Sequence, residues 1–394
     1  MRIVYFAGRE YGRNDTNLPI VLALAGQGHP TTVVFQDHKS WESVGGHGAW
    51  RHWLEDLTEL VRLEPDWPRT RWDHWRRRLR RAWLLLRLAL SPGLLVFLPD
   101  KAAGYGFARF FDRMKNAWHT RGVSSAFIDE ERERCVTQVT AEQWAAMGKT
   151  KELATAKVKV KSVLAQNLDE MRIYDTLDYQ NLVLVPAPHM QPWWKAFMRQ
   201  HPPRFDHPKV AAAKEIVLVL VLRKGNYLFA PGSDVDVLID DIIRAVRKEH
   251  PDTLIVLKPK YQKGGYFLTE EMLREQYADE NIVIAYEPIT VLAEKSILAF
   301  STGESSAEYY VLSCGVPVIE YCRYSEEYQK IYPRMTPVEN WGGRFVSTRE
   351  DLAAAIAAAK GQRADVDFIK RKINFTEVAL DANLFTPQAV NHRR

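Results

Sequence analysis

The sequence predicts a two-domain α/β protein with parallel sheets, because apolar strand segments alternate with helical segments in both halves of the chain. The first half opens with an apolar strand over 3–7, a polar loop over 8–15, a helix over 18–24 and the strand TTVVF. The second half restarts with the buried strand EIVLVLVL and then alternates strands and helices. This order favours parallel strands covered by helices, so both halves are expected to be Rossmann-like.

The boundary between the two domains is predicted from a change in composition. Residues 191–208 are rich in Pro, Trp and His and lack helical or strand periodicity, as expected for a connection. We therefore expect an N-terminal domain over 1–190, a C-terminal domain over 209–375, and a tail over 376–394 that can cross back to the first domain.

Composition and missing motifs exclude several classes of function. The chain has 394 residues, 46% hydrophobic and 26% charged, and a net charge of +5, which is ordinary for a globular protein. Its three cysteines have neither disulfide nor zinc spacing. The first residues are typical of a strand and not of a signal peptide, so we expect a cytoplasmic protein. No GxGxxG follows the first strand and no Walker A motif occurs, which removes the main support for dinucleotide binding and P-loop ATP hydrolysis.

A hydroxyl-rich turn follows the predicted strand that ends at Phe300. Backbone N–H groups at a helix N-terminus favour an anion, and hydroxyl side chains add donors. The candidate binding residues are Thr302, Gly303, Ser305, Ser306 and Glu308. Glu308, one turn into the helix, is expected to reach a ribose hydroxyl or a sugar. The alternative is a helix N-cap formed by Ser305, with Glu308 three residues later.

Basic residues follow two of the predicted strands in the second half. Arg223 and Lys224 come after EIVLVLVL, and Lys258 and Lys260 end or follow TLIVLKP. Ligands of open α/β sheets bind at the carboxyl ends of the strands. These cations are therefore candidates for neutralising a phosphate or diphosphate, although a solvated basic loop is the alternative.

Three consecutive acids follow the strand-like segment SSAFI. Asp129, Glu130 and Glu131 are candidates for a general base, because crowded carboxylates raise one another's pKa toward neutral pH. The alternative is an acidic helix start, where Asp and Glu are favoured in any case.

Three separated segments resemble a known family when taken together. They are NAWHTRGVSSAFIDEER, HPPRFDHP and TGESSAEYYVLSCGVPVIEY, in that order along the chain. They resemble the bacterial surface-carbohydrate and capsule glycosyltransferases, including the Kdo- and sialic-acid-transferring enzymes. These have the GT-B fold, in which two Rossmann-like domains face each other across a cleft. Two positions depart from the family pattern: Arg132 replaces a glycine after the acids, and Lys258 replaces the histidine of a His-Pro pair.

The resemblance implies an inverting, metal-independent glycosyltransferase that uses a nucleotide sugar as co-substrate and no other cofactor. It favours a CMP-activated ulosonic acid such as CMP-Kdo, with UDP- and GDP-sugars left open. Glu130 aligns with the first acid of the family pair and is the expected base. Lys258, Lys260 and Arg223 would then offset charge on the leaving phosphate. The N-terminal domain would hold a glycan or lipid-linked acceptor, and the C-terminal domain the donor.

Other activities remain open at this point. A GT-B epimerase or a polyol-phosphate transferase would share the phosphate-binding turn. A non-catalytic GT-B scaffold of a membrane glycan assembly is a further alternative, supported by the changes at Arg132 and Lys258.

A basic helix between residues 69 and 90 carries an aromatic and aliphatic stripe. Trp72, Trp75, Leu79, Trp83, Leu86 and Leu90 recur at spacings of three and four. Arginines flank this stripe, which is the composition of a helix lying on an anionic membrane surface, at the inner face. The predicted contact residues are Trp72, Trp75, Arg76, Arg77, Arg80, Arg81 and Trp83. The alternative is a core-packing helix with solvated arginines, and nucleic-acid binding has no supporting motif.

Overall fold

The computed structural model divides the chain into two compact units. The first comprises residues 1–46, 53–201 and 376–394, and the second comprises 47–52 and 202–375. The residues that the structure describes are 1–8, 11–35, 37–44, 47–63, 70–91, 94–99, 117–120, 162–165, 181–221, 230, 234–259, 269–303, 305–326, 329, 336–373 and 375–385.

The first unit contains a seven-stranded parallel sheet with the order β3-β2-β1-β4-β5-β6-β7. Its strands are β1 (Arg2–Ala7), β2 (Thr31–Phe35), β3 (Glu59–Arg62), β4 (Leu94–Pro99), β5 (Ala117–Thr120), β6 (Ser162–Ala165) and β7 (Asn181–Leu184). The order runs outward from β1 in both directions, as in a doubly wound Rossmann sheet. The predicted strands at 3–7 and TTVVF are β1 and β2, and both are buried.

The N-terminal helices are α1 (Tyr11–Gly26), α2 (His38–Val44), α3 (Gly48–Leu57) and α4 (Arg71–Ala89). Helix α1 begins earlier than the sequence predicted. The prediction of a polar loop over 8–15 was wrong from Tyr11 onward, because Asn14 is a buried helical residue. Its side-chain oxygen accepts from the Tyr5 hydroxyl at 2.7 Å and from the Gly8 N–H at 2.9 Å. Polar residues here point inward and tie α1 to the end of β1.

Helix α4 carries apolar residues on two opposite faces. A capping box between Thr70 and Asp73 starts the helix. Leu84 and Leu88 are buried against a core cluster formed by β-strand residues of the same unit, Val4, Phe6, Val34 and Val96 among them. The predicted stripe from Trp72 to Leu90 lies on the other face and is exposed along its whole length. Among the residues described, no helix is both long and apolar enough to cross a bilayer.

The stretch predicted to be an irregular connection, 191–208, contains the helix α5 (Pro192–Gln200), and α6 (Pro208–Ala212) begins at its last residue. In α5, Trp194 stacks on Phe197 with ring centroids 5.0 Å apart, and Trp53 lies edge-on to both. The aromatic residues that obscured the periodicity are thus the packed face of a helix. A proline at the first position is compatible with a helix start, because that N–H has no helical partner.

The second unit contains a six-stranded parallel sheet with the order β10-β9-β8-β11-β12-β13. Its strands are β8 (Ile216–Val221), β9 (Leu254–Pro259), β10 (Ile282–Ile284), β11 (Ser296–Ser301), β12 (Val318–Tyr321) and β13 (Arg344–Val346). Numbered from β8, this is the 3-2-1-4-5-6 order of a Rossmann sheet. All of the strands predicted in this half are present.

Helices cover both faces of the second sheet. They are α7 (Val235–Glu249), α8 (Glu270–Tyr277), α9 (Ile289–Lys295), α10 (Ser306–Ser313), α11 (Pro337–Asn340), α12 (Arg349–Ala359) and α13 (Val366–Lys372). One face of the sheet forms a large apolar core with α7 and α12. The opposite face carries the polar residues at the carboxyl ends of the strands.

The two faces of α4 can be tested with a matched pair of leucines. Leu88→Ala should lower the free energy of unfolding by about 2–5 kcal/mol, because Leu88 is fully buried. Leu86→Ala removes the same atoms from an exposed position and should change stability by less than about 0.5 kcal/mol. Urea unfolding measures both. Equal losses in the two variants would contradict the orientation of the helix.

Candidate functional site

The strand order of the second sheet reverses between β8 and β11, which lie side by side at its centre. Helices connected to strands on either side of such a point diverge and leave a crevice at the carboxyl ends. The turn after β11 lies against the end of β8, since the Thr302 N–H donates to the Leu220 carbonyl at 3.1 Å. The hydroxyl-rich turn predicted from the sequence therefore occupies the switch point of this sheet.

Parallel register aligns polar residues of three strands in one row. Lys258 of β9 pairs with Leu220 of β8, Leu220 pairs with Ser301 of β11, and Ser301 pairs with Glu320 of β12. Paired residues of neighbouring parallel strands face the same side of a sheet. Lys258, Ser301 and Glu320 thus share the polar face near the switch point. Lys258 is only 8% exposed.

The turn itself is held by local hydrogen bonds. Ser301 Oγ donates to the Gly303 carbonyl at 2.5 Å, and Gly303 has a φ of 145°, a conformation that favours glycine. Ser305 is the N-cap of α10 and its hydroxyl accepts from the Ala307 N–H at 3.3 Å. The N-cap role considered from the sequence is therefore present. It presents the first N–H groups of α10 at the switch point, beside Thr302.

Two carboxylates are buried behind the turn. Glu308 of α10 and Glu320 of β12 both have no solvent exposure, and Tyr324 donates its hydroxyl to Glu320 Oε1 at 2.5 Å. Burial raises the pKa of the Cys322 thiol, and the negative charges of Glu320 and Glu308 raise it further. Glu308 is therefore part of a buried acidic cluster, and its predicted contact with a ribose or sugar stays a prediction.

A second acidic cluster lies after β10, within the second unit. Glu287 is buried and accepts the Ala49 N–H at 2.7 Å and the Asp206 N–H at 3.1 Å. Asp206 accepts the Gly48 N–H at 2.7 Å, so two carboxylates satisfy the first turn of α3. A side chain at position 48 would overlap the Glu287 carboxylate, which explains the glycine.

The charges of Glu287 and Lys258 influence each other. Burial raises the pKa of Glu287, while the two backbone N–H donors and the positive charge of Lys258 oppose that shift. The positive charge of Lys258 thus acts on Glu287 less strongly than burial and the two backbone donors do.

Several predicted site residues lie outside the described part of the chain. They are Asp129, Glu130, Glu131, Arg132, Arg223, Lys224 and Lys260. Ser306 is the first residue of α10, but its side chain is also outside the described atoms. Of the predicted donor-side residues, the structure brings together Thr302, Gly303 and Ser305 on one turn, with Lys258 two strands away.

Sequence reasoning missed Glu287 and Glu320. Glu287 directly follows the strand NIVIAY, just as Lys258 lies at the end of the strand TLIVLKP. The signal used for Lys258, a charged residue at the carboxyl end of a strand, was therefore available for Glu287. Glu320 is an isolated carboxylate within the apolar strand VPVIEY, which is itself a sign of a special environment. Within the described residues, no group of three or more His, Cys, Asp or Glu side chains is arranged to hold a metal ion.

Comparison with known proteins identifies the fold. No family model and no curated protein matches this sequence. The structure is similar to a putative UDP-N-acetylglucosamine 2-epimerase from Listeria monocytogenes, with 14% identity, a TM-score of 0.51, and coverage of 98% of this chain and 93% of that one. The chain has the GT-B fold.

Two other structures with this GT-B fold were solved with UDP. Arabidopsis thaliana UGT89C1 is 11% identical, with a TM-score of 0.51 and coverage of 94% of this chain and 93% of that one. S. aureus MnaA is 11% identical, with a TM-score of 0.50 and coverage of 98% and 94%. The two doubly wound sheets agree with this assignment, which confirms the predicted fold class. At these identities the likeness concerns the fold alone.

Proposed function

We propose that this GT-B protein is an inverting, metal-independent glycosyltransferase. It would move a sugar from a nucleotide donor to a glycan or lipid-linked acceptor in bacterial surface polysaccharide synthesis. The observation that carries the proposal is the position of the hydroxyl-rich turn, which presents the start of α10 at the switch point of the second sheet. Backbone N–H groups there favour the phosphate of a nucleotide.

The chemistry follows from the residue types available. The acceptor hydroxyl attacks the anomeric carbon, the bond from that carbon to the nucleotide phosphate breaks, and the nucleotide leaves with the electron pair. Glu130, or its neighbour Asp129 or Glu131, takes the proton from the acceptor hydroxyl. Lys258, with Lys260 and Arg223, offsets the negative charge that develops on the leaving phosphate.

The donor is proposed from the sequence resemblance, which favours a CMP-activated ulosonic acid such as CMP-Kdo. UDP-bound neighbours of the same fold keep a UDP-sugar as the second candidate. Titration with CMP, UDP and GDP separates these possibilities, because only the cognate nucleotide should bind tightly. Tighter binding of UDP than of CMP would contradict a CMP-activated ulosonic acid as the donor, but it would not contradict sugar transfer.

Epimerisation is the second candidate function, favoured by the likeness to a putative UDP-N-acetylglucosamine 2-epimerase. A transferase yields a glycosylated acceptor, whereas an epimerase yields the epimeric sugar without any acceptor. A non-catalytic scaffold would release no nucleotide from any donor. Product analysis with a nucleotide-sugar donor, with and without acceptor, therefore distinguishes the three.

The nucleotide site can be tested on the turn. Replacing both Ser305 and Ser306 with Ala should weaken nucleotide binding by about tenfold or more, because hydrogen bonds to a charged phosphate contribute about 1.5–3 kcal/mol. Calorimetric titration with CMP, UDP and GDP measures the dissociation constants.

The same change also removes the N-cap of α10, so it needs a matched control. Thr348→Ala removes the N-cap of α12 in the same unit. It should lower the free energy of unfolding by a similar amount without weakening nucleotide binding. An unchanged dissociation constant in the serine variant would place the nucleotide elsewhere. If Thr348→Ala lost as much nucleotide affinity as the serine variant, the effect would come from the lost helix cap, and direct binding by the serines would be contradicted.

The base can be tested on the three consecutive acids. Glu130→Gln keeps shape but removes the basic carboxylate, so turnover should fall by a factor of about 10² to 10⁴. Nucleotide affinity should barely change, because the proposed donor residues lie in the other domain. Asp129→Asn and Glu131→Gln are the controls. Normal turnover of Glu130→Gln beside an inactive neighbour would move the role by one residue, and normal turnover of all three would exclude the cluster.

A further inference from the structure

Six large apolar side chains, five on α4 and one on its C-cap residue, are exposed in one continuous stripe. They are Trp72, Trp75, Leu79, Trp83, Leu86 and Leu90, and each is at least half exposed, with Trp83 at 66% and Leu90 at 76%. At about 100° per residue, their positions fall within an arc of about 80°. A folded protein rarely leaves three tryptophans and three leucines together in water, so this surface is expected to have a partner.

The helix does not need this face to stay folded. Leu84 and Leu88 on the opposite face are buried in the core of the first unit, and Thr70 and Asp73 cap its start. Near its end, Arg87 donates to both carboxylate oxygens of Glu59, at 2.6 and 2.9 Å. The helix is thus anchored to the first unit through its opposite face, and the exposed stripe is free to contact a binding partner.

Arginines lie on both sides of the stripe. By helical position, Arg76 and Arg80 lie along one edge and Arg71 and Arg78 along the other, and all four are exposed. Arg76 lies over the Trp72 ring, 5.6 Å from its centroid. The helix contains seven arginines and one carboxylate, Asp73. The surface therefore combines an apolar stripe with a strong positive charge on each side.

We propose that this face of α4 docks on an anionic lipid bilayer, with the tryptophans and leucines in the interfacial region and the arginines against lipid phosphates. Charge complementarity selects this partner. A second copy of the chain would bring two arginine-rich faces together, and like charges repel. A helix with a large apolar stripe and a basic polar face lies in the membrane interface and does not span it. Anionic headgroups attract each basic residue near the surface.

The geometry also refines the set of contact residues. Arg81 was predicted to flank the stripe, but it is half-buried and lies by helical position on the side of Leu84 and Leu88. The side chain of Arg77 lies outside the described atoms. Trp75, Trp83, Arg76 and Arg80 are therefore the residues to change. The proposed membrane contact depends on α4 alone, so its test does not depend on whether the protein transfers a sugar.

The test is co-sedimentation of the full chain with vesicles. Vesicles of phosphatidylcholine alone are compared with vesicles that also contain phosphatidylglycerol. The wild-type chain should bind the anionic vesicles, and added salt should weaken the binding. Arg76→Glu with Arg80→Glu should weaken partitioning by at least about tenfold. Trp75→Ala with Trp83→Ala should also lose binding, because it removes interfacial apolar area.

A matched control has the same change in net charge elsewhere. Arg363→Glu with Arg371→Glu alters two exposed arginines of the second unit and should leave partitioning at the wild-type level. All variants should keep the wild-type melting temperature, since only exposed side chains change. No binding to anionic vesicles, or equal loss in the control, would overturn the proposal. If the wild-type chain is a dimer and the tryptophan variant is a monomer, the stripe is an interface with a second copy. If the chain binds a duplex oligonucleotide and no vesicles, the stripe is a nucleic-acid surface.

Discussion

The parallel pairing of β8 with both β9 and β11 is the constraint on which the candidate site depends. Because the strands are parallel, their carboxyl ends meet at one edge, and their register sets Lys258, Ser301 and Glu320 in one row. The connection after β11 must then start a helix at the point where the strand order reverses. The anion-binding potential of the turn follows from this topology more than from any single side chain.

Three glutamate side chains are buried among the described residues of the second unit. Glu287, Glu308 and Glu320 are almost inaccessible to water, and an ionised carboxylate is expensive to bury unless donors surround it. For Glu287 those donors are two backbone N–H groups, and for Glu320 one is the Tyr324 hydroxyl. The positive charge of Lys258 also lowers the pKa of Glu287, less strongly than the two backbone donors do. A bound phosphate would therefore add negative charge to a unit that already buries these three carboxylates.

Local patterns in the sequence were sufficient for β1 and β2, for β8 to β12, for α7 and for the fold class, whereas β3 to β6 and β13 were not predicted. A short apolar run rich in valine and isoleucine, such as EIVLVLVL, favours a buried strand, and the 3.6-residue period of residues 234–249 predicts a helix. Contacts between distant segments were not accessible in this way. Asn14 looked like a loop residue because its partners, Tyr5 and Gly8, become apparent only when α1 packs on β1. The contact of Glu287 with Ala49 joins positions 238 residues apart and leaves no local signal.

The helix α4 shows what a helical pattern can and cannot predict. The spacing of Trp72, Trp75, Leu79 and Trp83 identified the stripe correctly. Leu84 and Leu88 form a second apolar face, and only the tertiary structure reveals that this second face is the buried one. Sequence periodicity finds apolar faces, but it does not tell which of two faces the core covers.

We propose that a nucleotide binds at the switch point of the second sheet, on the turn from Ser301 to Ser305 and the start of α10. Amide hydrogen exchange of the whole chain, with and without saturating CMP, UDP or GDP, tests it most directly. At least one of these nucleotides should slow exchange in residues 301–309, because bound phosphate would protect the first amides of α10. Protection confined to other segments, with exchange across 301–309 unchanged by every nucleotide that binds, would contradict it.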